Sequence, residues 1–173
     1  MKSYTINSND CNRRIDNFLN KAVPLLPKTL MYKFIRLKKI KLNRKRCQPN
    51  DILKEGDILE LYINDEFFGE QDKAEFLSAK SDLNIVYEDE NIILLEKEVG
   101  LLCHSGNGGE SDTLVDRLKS YLYKKGEYIP QNENSFSPSL CNRIDRNTTG
   151  IVIGAKNAQS LRIINEKIKE NEI

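Results

Sequence analysis

The sequence predicts an α+β protein in two segments, a small basic α/β module followed by a domain built on a mixed sheet. Short strands and two helices are predicted before residue 64, and the order strand, strand, helix, strand, helix follows residue 82. The charge divides in the same way. Residues 1–65 carry 14 Lys and Arg against 7 Asp and Glu, which leaves 13 against 19 for residues 66–173. The near-neutral total of +1 therefore conceals a basic module joined to an acidic segment.

Length and composition limit the class of protein. A chain of 173 residues can hold one ordinary domain or two small ones. No apolar run approaches the length needed to cross a bilayer, and the N-terminus lacks a signal-peptide core, so we expect a cytoplasmic protein without a membrane partner. The four cysteines, at positions 11, 47, 103 and 141, are irregularly spaced, which favours reduced thiols over a disulfide scaffold or a zinc ribbon.

The first segment, residues 1–64, is predicted to hold two helices between short strands. Apolar residues recur at helical spacing over residues 14–23, and two prolines separate this helix from a second one over residues 28–37. The core stripe predicted for the second helix is Leu30, Phe34 and Leu37. We expect strands at 4–6, 40–42 and 58–63, with a tight turn at 55–57 before the last.

Nine basic residues lie between positions 28 and 46 without any acidic residue among them. Such a run is self-repelling unless an anion neutralises it, which favours phosphate binding over a merely solvated face. The run comprises Lys28, Lys33, Arg36, Lys38, Lys39, Lys41, Arg44, Lys45 and Arg46.

A polar linker, residues 65–82, precedes the second segment, residues 83–173. Phe67 and Phe68 are its only apolar cluster, and we expect them to make one anchoring contact. The segment begins with two predicted strands, at 85–87 and 92–95, joined by an acidic turn. We expect a helix over 113–125, with Ser, Asp and Thr available as its N-cap, and a last helix capped by Asn157. Their apolar stripes are predicted to be Leu114, Leu118, Tyr121 and Leu122 in the first, and Leu161, Ile164 and Ile168 in the second.

The stretch 142–150 places one carboxylate, Asp145, between two guanidinium groups, those of Arg143 and Arg146. Nearby positive charge favours the ionised carboxylate. That state suits a nucleophile or a general base, and it equally suits a structural ion pair. From these residues alone both interpretations stay open.

Other candidate sites are weaker. Cys103 and His104 could form a thiol nucleophile with its base, but adjacent residues in an extended segment point to opposite faces, so a cysteine hydrolase is a distant alternative. We expect His104 to line a pocket. The glycine loop 106–109 lacks the Gly-Lys-Ser/Thr ending of a phosphate-binding loop. With a single histidine and no carboxylate cluster at ligand spacing, the sequence predicts no metal site.

Residues 1–64 resemble the small RNA-binding module named after a ribosomal protein, the S-four domain. The resemblance is carried by residues 14–19, by the basic second helix, and by the strand and turn at 39–43 and 55–57. It implies that RNA is bound by Arg14 and by residues of the basic run. One departure is that Lys38 and Lys39 stand where the module usually has a glycine.

Residues 85–156 resemble the RluA-type family of pseudouridine synthases. The resemblance is carried by residues 85–90 and 100–106 and above all by 142–150, followed by an apolar strand that ends in Ala155 and Lys156. It implies isomerisation of uridine in RNA, with ribosomal RNA the expected substrate and with no cofactor. Asp145 would be the catalytic carboxylate acting on a flipped nucleotide. The supporting or substrate-binding residues would be Arg143, Arg146, Thr148, Asn142 and His104, with Arg146 the stronger candidate for contact with the flipped strand.

Two departures from the family pattern matter. Asn142 replaces the usual histidine and cannot titrate. Only 28 residues follow Asp145, none of them tyrosine, whereas the family supplies a tyrosine and a further arginine from that region. We therefore expect a C-terminally truncated synthase domain with an exposed apolar face. The alternative is a catalytically incomplete RNA-binding protein, and the oligomeric state is left open.

Overall fold

The computed structural model describes residues 1–69, 75–106 and 109–173. The chain forms two compact units, one of Met1–Gln71 with Asn132–Phe136 and one of Asp72–Gln131 with Ser137–Ile173. Each unit has its own four-stranded sheet and its own hydrophobic core. The predicted α+β class is confirmed.

The first unit packs two helices against an antiparallel sheet. Its strands follow the order β1-β4-β2-β3. The largest fully buried side chains of its core include Phe18 and Leu19 from the first helix and Leu59 and Leu61 from β4. In chain order its elements are β1 (Lys2–Thr5), α1 (Ile15–Ala22), α2 (Lys28–Arg36), β2 (Ile40–Leu42), β3 (Lys45–Arg46) and β4 (Ile58–Leu61).

The predicted core stripe of α2 is wrong by one residue. Met31 and Ile35 are the buried positions, whereas Leu37 is 52% exposed and lies beyond the end of the helix. The predicted pair, Leu30 and Phe34, is only partly buried at the edge of the core. Both pairs are apolar and four residues apart, so periodicity alone could not choose between them.

The predicted anchoring contact of the linker is present. Phe67 and Phe68 lie in a short 3-10 turn, Asp65–Phe68, and pack against the core of the first unit. The ring of Phe67 meets that of Phe34 edge-on at 6.0 Å between centroids. Residues 70–74 of the linker lie outside the described residues, and the boundaries at 64 and 82 stay a prediction.

A segment from much later in the chain, Asn132–Phe136, belongs to the first unit. Its anchor is the carboxylate of Asp10, which is fully buried. Asn134 donates its side-chain amide to Asp10 at 2.7 Å, and the hydroxyl of Ser135 donates to the other oxygen. No local pattern predicts this pairing of residues more than 120 positions apart.

The second unit has the strand order β5-β6-β8-β7. Every pairing among its described strands is antiparallel, so the parallel pairing that a mixed sheet requires is not present among them. The tight acidic turn between β5 and β6 forces the first pair antiparallel, and β8 then runs antiparallel to β6 over six residues. Its elements are β5 (Asn84–Glu88), β6 (Ile92–Lys97), α3 (Leu114–Lys124), β7 (Ser139–Leu140), β8 (Gly150–Ala155) and α4 (Ala158–Lys169).

Helix α3 forms where it was predicted, and its apolar side chains share a core with those of β6 and β8. Thr113 is its N-cap in a capping box with Asp116, and the stripe Leu114, Leu118 and Leu122 is buried. The helix approaches β8 closely at Gly154, where an added Cβ would lie 2.7 Å from a methyl group of Ile93 and 2.9 Å from one of Leu118. A glycine is therefore required there by space and not by backbone conformation.

Four charged groups form a network of salt bridges that joins the ends of β5, α3 and β8. The ammonium group of Lys156, directly after β8, lies 2.6 Å from Glu88 and 2.8 Å from Glu127. Lys125 contacts the same two carboxylates, each at 2.8 Å, and the hydroxyl of Tyr121 donates to Glu88 at 2.8 Å. We call these five residues the Glu88 cluster.

Helix α4 is capped as predicted, because the side chain of Asn157 accepts a hydrogen bond from the backbone of Ser160 at 2.8 Å. Its stripe, Leu161, Ile164 and Ile168, is only half-buried. Ile163 and Ile151 are 45% and 44% exposed. The exposed apolar face expected from the sequence stays a prediction. Among the described residues, no helix is both long and apolar enough to span a membrane.

Candidate active site

The loop between β7 and β8 carries Asp145 and is held at three successive carbonyl groups. The carbonyl of Ile144 accepts from the thiol of Cys103 at 3.6 Å, and that of Asp145 accepts from the amide of Thr148 at 3.1 Å. The carbonyl of Arg146 accepts from the amide of Gly100 at 2.9 Å. Two of the three donors come from the segment after β6, so that segment and the Asp145 loop form one site.

Lys97, the last residue of β6, is the group that sequence inspection missed. Its side chain is fully buried, and its ammonium group donates to the carbonyls of Glu98 at 2.9 Å, Leu101 at 2.8 Å and Arg146 at 2.9 Å. Strand alternation could have found it, since Lys97 falls on the same face as the buried Ile93 and Leu95.

The side chain of Arg146 is hydrogen-bonded to the backbone of the segment after β6. Its Nε donates to the carbonyl of Gly100 at 3.0 Å. The amide of Gly100 in turn donates to the carbonyl of Arg146, so the two residues form a reciprocal pair of hydrogen bonds. Gly100 has a φ of +87°, a conformation that favours glycine. One terminal nitrogen of Arg146 also lies 3.7 Å from a carboxylate oxygen of Glu110.

Asp145 is exposed and forms no ion pair with either neighbouring arginine within the described part of the chain. The structural ion pair that the sequence left open is therefore not formed, because the side chain of Arg146 turns to the Gly100 loop. Arg143 is also exposed and makes no hydrogen bond or ion pair within the same residues. The carboxylate and one guanidinium group thus remain accessible to a substrate.

The positive charge of Arg143 acts on the imidazole of His104. Partial burial, with the positive charges of Arg143 and Lys119, lowers the pKa of His104, and Asp116 opposes the change only weakly. The imidazole is therefore neutral at pH 7 and can both donate and accept a hydrogen bond.

Two predicted site residues have structural positions. The side chain of Asn142 accepts from the amide of Ile153 at 2.7 Å and donates to the carbonyl of Ile151 at 3.2 Å, so it extends the pairing of β7 with β8. Thr148 closes the turn after Asp145 through its backbone amide, while its side chain is exposed.

The thiol of Cys103 is unsuited to catalysis. It is 4% exposed and donates to the carbonyl of Ile144, which leaves no path for a substrate. Within the glycine loop 106–109, Asn107 and Gly108 lie outside the described residues. No group of three potential ligands for a metal ion occurs in the part of the chain that the structure describes.

A cavity of about 550 Å³ opens on the Arg146 side of the loop. Its walls come from the segment after β6 and from the residues ahead of α3, where Arg117 binds Asp112 through two contacts of 2.8 Å. Asp145 does not line it.

The first unit presents most of the basic run to solvent. Lys28, Lys33, Arg36, Lys38, Lys39, Arg44, Lys45 and Arg46 are exposed. Arg36 and Arg46 also line a groove of about 380 Å³ together with Tyr32. Arg14 differs, because its guanidinium group is bound to the buried carboxylate of Asp16 through contacts of 2.6 and 3.0 Å.

Two residues of this basic surface have a left-handed backbone. Lys38, just after α2, has a φ of +60°, and Arg44, in the two-residue turn between β2 and β3, has a φ of +63°. Glycine is the usual residue at both kinds of position. The absent glycine noted in the sequence is thus replaced by a lysine that adopts the conformation glycine would have had.

The comparisons with known proteins agree with this arrangement of segments. Residues 91–173 match the family model described as RNA pseudouridylate synthase, and residues 13–59 match that of the S4 (S-four) domain. An uncharacterized RNA pseudouridine synthase of Mycoplasma capricolum is 38% identical over 99% of this chain and 56% of its own length. The ribosomal large subunit pseudouridine synthase C of Buchnera aphidicola is 33% identical over 97% of this chain and 51% of its own.

The chain spans about half the length of the curated relatives it matches. A solved structure of human RNA pseudouridylate synthase domain containing 4 overlaps 51% of this chain at 21% identity with a TM-score of 0.40, a similarity too low to support the fold. The two resemblances seen in the sequence are nevertheless confirmed by the family models. Residues 91–173 are thus similar to the RNA pseudouridylate synthase family, and residues 13–59, ahead of them, are similar to the S4 domain.

Proposed function

We propose that this protein isomerises uridine in RNA to pseudouridine, with Asp145 as the catalytic carboxylate. The reaction breaks the bond between the ribose and N1 of uracil, joins the ribose to C5, and releases the C5 proton while N1 gains one. No redox step is involved, so no cofactor is needed. The observation that carries the proposal is the accessible carboxylate of Asp145 on a loop fixed at three successive carbonyls.

The carboxylate either attacks the flipped nucleotide or assists cleavage of its glycosidic bond. Both routes need an ionised group that is not consumed by an internal ion pair, and Asp145 has no such pair among the described residues. The target base must leave the stack before its glycosidic bond can be remade, so the RNA has to be held in a distorted form.

Arg143 is the better candidate for contact with the distorted strand. Its side chain is exposed and not engaged within the described residues, whereas Arg146 is bound to Gly100. In this proposal Arg146, Asn142 and Thr148 shape the loop. His104, whose pKa is lowered by burial and by the charge of Arg143, offers a hydrogen bond to the substrate.

RNA binding by the first unit is the second part of the proposal. Eight residues of the basic run are exposed together, which suits phosphate binding. The backbone conformations of Lys38 and Arg44 support it further. A left-handed residue that is not glycine costs about 1 kcal/mol, and such strain is typical of functional positions. Arg14 remains in the proposed set with less support, because Asp16 already binds it.

Ribosomal RNA is the proposed substrate and the cytoplasm the proposed location. The support is the similarity to the Buchnera relative, a ribosomal large subunit pseudouridine synthase. The exposed basic surface does not by itself distinguish one RNA from another.

Release of tritium from RNA labelled at C5 of uracil tests the proposal. We expect release by the wild-type chain, none by Asp145→Asn, and normal release by the matched control Asp82→Asn, which changes an exposed aspartate elsewhere in the unit. Release by Asp145→Asn at the wild-type rate would refute the role of Asp145. Bound RNA without release by the wild type would favour the alternative, an RNA-binding protein without catalysis.

A further inference from the structure

We propose that the groove beside Tyr32 in the first unit binds one unpaired base of an RNA, with the ring of Tyr32 as the surface on which the base stacks. The inference rests on the RNA binding proposed for this unit, and it deepens that proposal by naming the part of the RNA that is bound. Phosphate contacts alone accept any RNA, whereas stacking on a side chain requires a base that has left its helix.

The groove lies between one face of α2 and the segment that follows β3. Helix α2 contributes Tyr32 and, one turn later, Arg36, because residues four positions apart lie on the same face of a helix. The buried side chains of Ile35 and Cys47 also line the groove, together with Pro49. Its volume of about 380 Å³ falls within the range of small-molecule sites, about 300 to 1,000 Å³. This volume suits one nucleotide rather than a length of duplex.

The ring of Tyr32 is not used for packing within the protein. Tyr32 is 45% exposed, and among the described residues no other aromatic ring stacks on it. Phe34, the other aromatic residue of α2, differs, because its ring meets that of Phe67 at 6.0 Å and the ammonium group of Lys39 lies 5.4 Å from its centre. Of the two aromatic residues in the basic run, Tyr32 is therefore the one that is available to a base.

A buried carboxylate fixes the orientation of the Tyr32 ring. The hydroxyl of Tyr32 donates to Asp16 at 3.3 Å, and Asp16 also accepts from the guanidinium group of Arg14 at 2.6 Å and from the amide of Asn17 at 2.8 Å. Because Asp16 is almost fully buried, it cannot follow a moving ring. A side chain that is already ordered loses little conformational entropy when a base stacks on it. Arg14 thus positions Tyr32 through Asp16.

The charges around the groove identify a nucleotide as its occupant. Arg36 and Arg46 are exposed and line the groove, so phosphates that flank the bound base have guanidinium partners there. The carboxylates close to the groove are already engaged, Asp16 as described and Asp51 by the amide of Gln48 at 2.7 Å. An aromatic wall combined with cationic side chains is the arrangement that binds single-stranded nucleic acid.

Fluorescence of 2-aminopurine, an adenine analogue that is quenched when it stacks, tests the proposal with the full chain. One RNA hairpin carries the analogue as a single bulged base, and a second hairpin carries it paired with uridine in an otherwise identical stem. We expect the wild type to bind the bulged hairpin more tightly and to quench its analogue, while the paired analogue is unaffected. Binding of both hairpins without quenching of the bulged base would overturn the proposal, and this comparison needs no variant.

Tyr32→Leu removes the ring and keeps an apolar side chain, and Tyr87→Leu is its control. Tyr87 is 49% exposed, and its hydroxyl likewise donates to an aspartate, Asp89, at 2.9 Å. We expect Tyr32→Leu to lose the quenching and to bind the bulged hairpin about 5- to 150-fold more weakly, the effect of one base stacked on an aromatic ring. Tyr87→Leu should behave as the wild type, and Tyr32→Phe should keep the quenching because it keeps the ring. Quenching that survives in Tyr32→Leu would contradict the inference.

The salt dependence of binding separates stacking from the phosphate contacts already proposed. Tyr32→Leu removes no charge, so its slope of log affinity against log salt should equal that of the wild type. A smaller slope would show that phosphate contacts had been lost and would count against stacking. If the wild type binds neither hairpin at low salt, the proposed RNA binding fails and this inference fails with it. If it binds both hairpins equally, with a steep salt slope and without quenching, RNA binding stands and only the stacking site fails.

Discussion

Replacing Glu88 with glutamine is expected to destabilise the second unit by about 3 kcal/mol at pH 7. Burial would raise the pKa of Glu88, but hydrogen bonds from Lys125, Lys156 and Tyr121 outweigh it and lower the pKa from 4.5 to about 2. A difference of about 2.5 pKa units corresponds to about 3 kcal/mol, at about 1.36 kcal/mol per unit. Glutamine keeps the shape of the side chain and removes this contribution.

The effect depends on pH in a defined direction. Because the pKa of Glu88 is lower in the folded state, the unfolded chain takes up the proton first as the solution becomes acid. The stabilisation is therefore complete above pH 4.5 and is lost as the pH falls towards about 2. At pH 3 the difference between wild type and variant should have fallen to about 1.4 kcal/mol.

Urea unfolding, followed at methyl resonances of the second unit, measures these free energies at pH 7 and pH 3. Glu90→Gln is the matched control, because Glu90 is an exposed carboxylate two residues away. If Glu88→Gln cost no more than Glu90→Gln at pH 7, or cost the same at both pH values, the stabilising role of the Glu88 cluster would be refuted.

Three further changes probe the basic surface and the core. Lys38→Gly should stabilise the first unit by about 1 kcal/mol in urea unfolding, because it relieves the left-handed backbone, and should weaken RNA binding. The double change Arg36→Ala with Arg46→Ala should reduce the slope of log affinity against log salt by about 2 in filter binding, whereas Lys54→Ala, outside the run, should leave it unchanged. Gly154→Ala should destabilise the second unit by about 1 to 3 kcal/mol in the same unfolding assay, because its methyl group would overlap side chains of β6 and α3.

Each of these has an outcome that would contradict it. A loss of stability in Lys38→Gly would show that the backbone there is not strained. A salt slope unaffected by the two arginine changes would remove their groove from the RNA-binding surface. For the core, Gly106→Ala is the control, since nothing lies near the added methyl group there, and an equal effect at both glycines would contradict the close approach of α3.

Local signals predicted some elements well. Helix α3 was predicted within one residue at each end, because a strong N-cap at Thr113 and an apolar stripe at helical spacing agree. In α2 two apolar pairs compete, and the choice between Leu30 with Phe34 and Met31 with Ile35 depends on packing against the sheet. Packing against the sheet depends on tertiary structure, and the apolar periodicity of the sequence does not determine it.

In the candidate site, too, local sequence patterns predicted part of the arrangement, and the rest depends on tertiary contacts. The run around Asp145 indicated the carboxylate that we propose as catalytic. Adjacency in sequence, however, does not give the direction of a side chain, and Arg146 turns away from its neighbour to bind Gly100. A contact of Asn142 with the substrate stays a prediction, and its side chain also pairs with β8, which the sequence did not indicate. Strand alternation could have placed Lys97 on the buried face, but no local pattern shows that it contacts the Asp145 loop, 49 positions away.

Chromatography of nucleosides from ribosomal RNA incubated with the chain tests whether Asp145 catalyses the formation of pseudouridine. Pseudouridine and uridine have equal mass but separate on a column, so the product is measured without a label. We expect the wild type and Asp82→Asn to convert uridine to pseudouridine, and Asp145→Asn to bind the RNA as tightly without converting it. Pseudouridine formed equally by Asp145→Asn, or by none of the three proteins while all bind RNA, would contradict it.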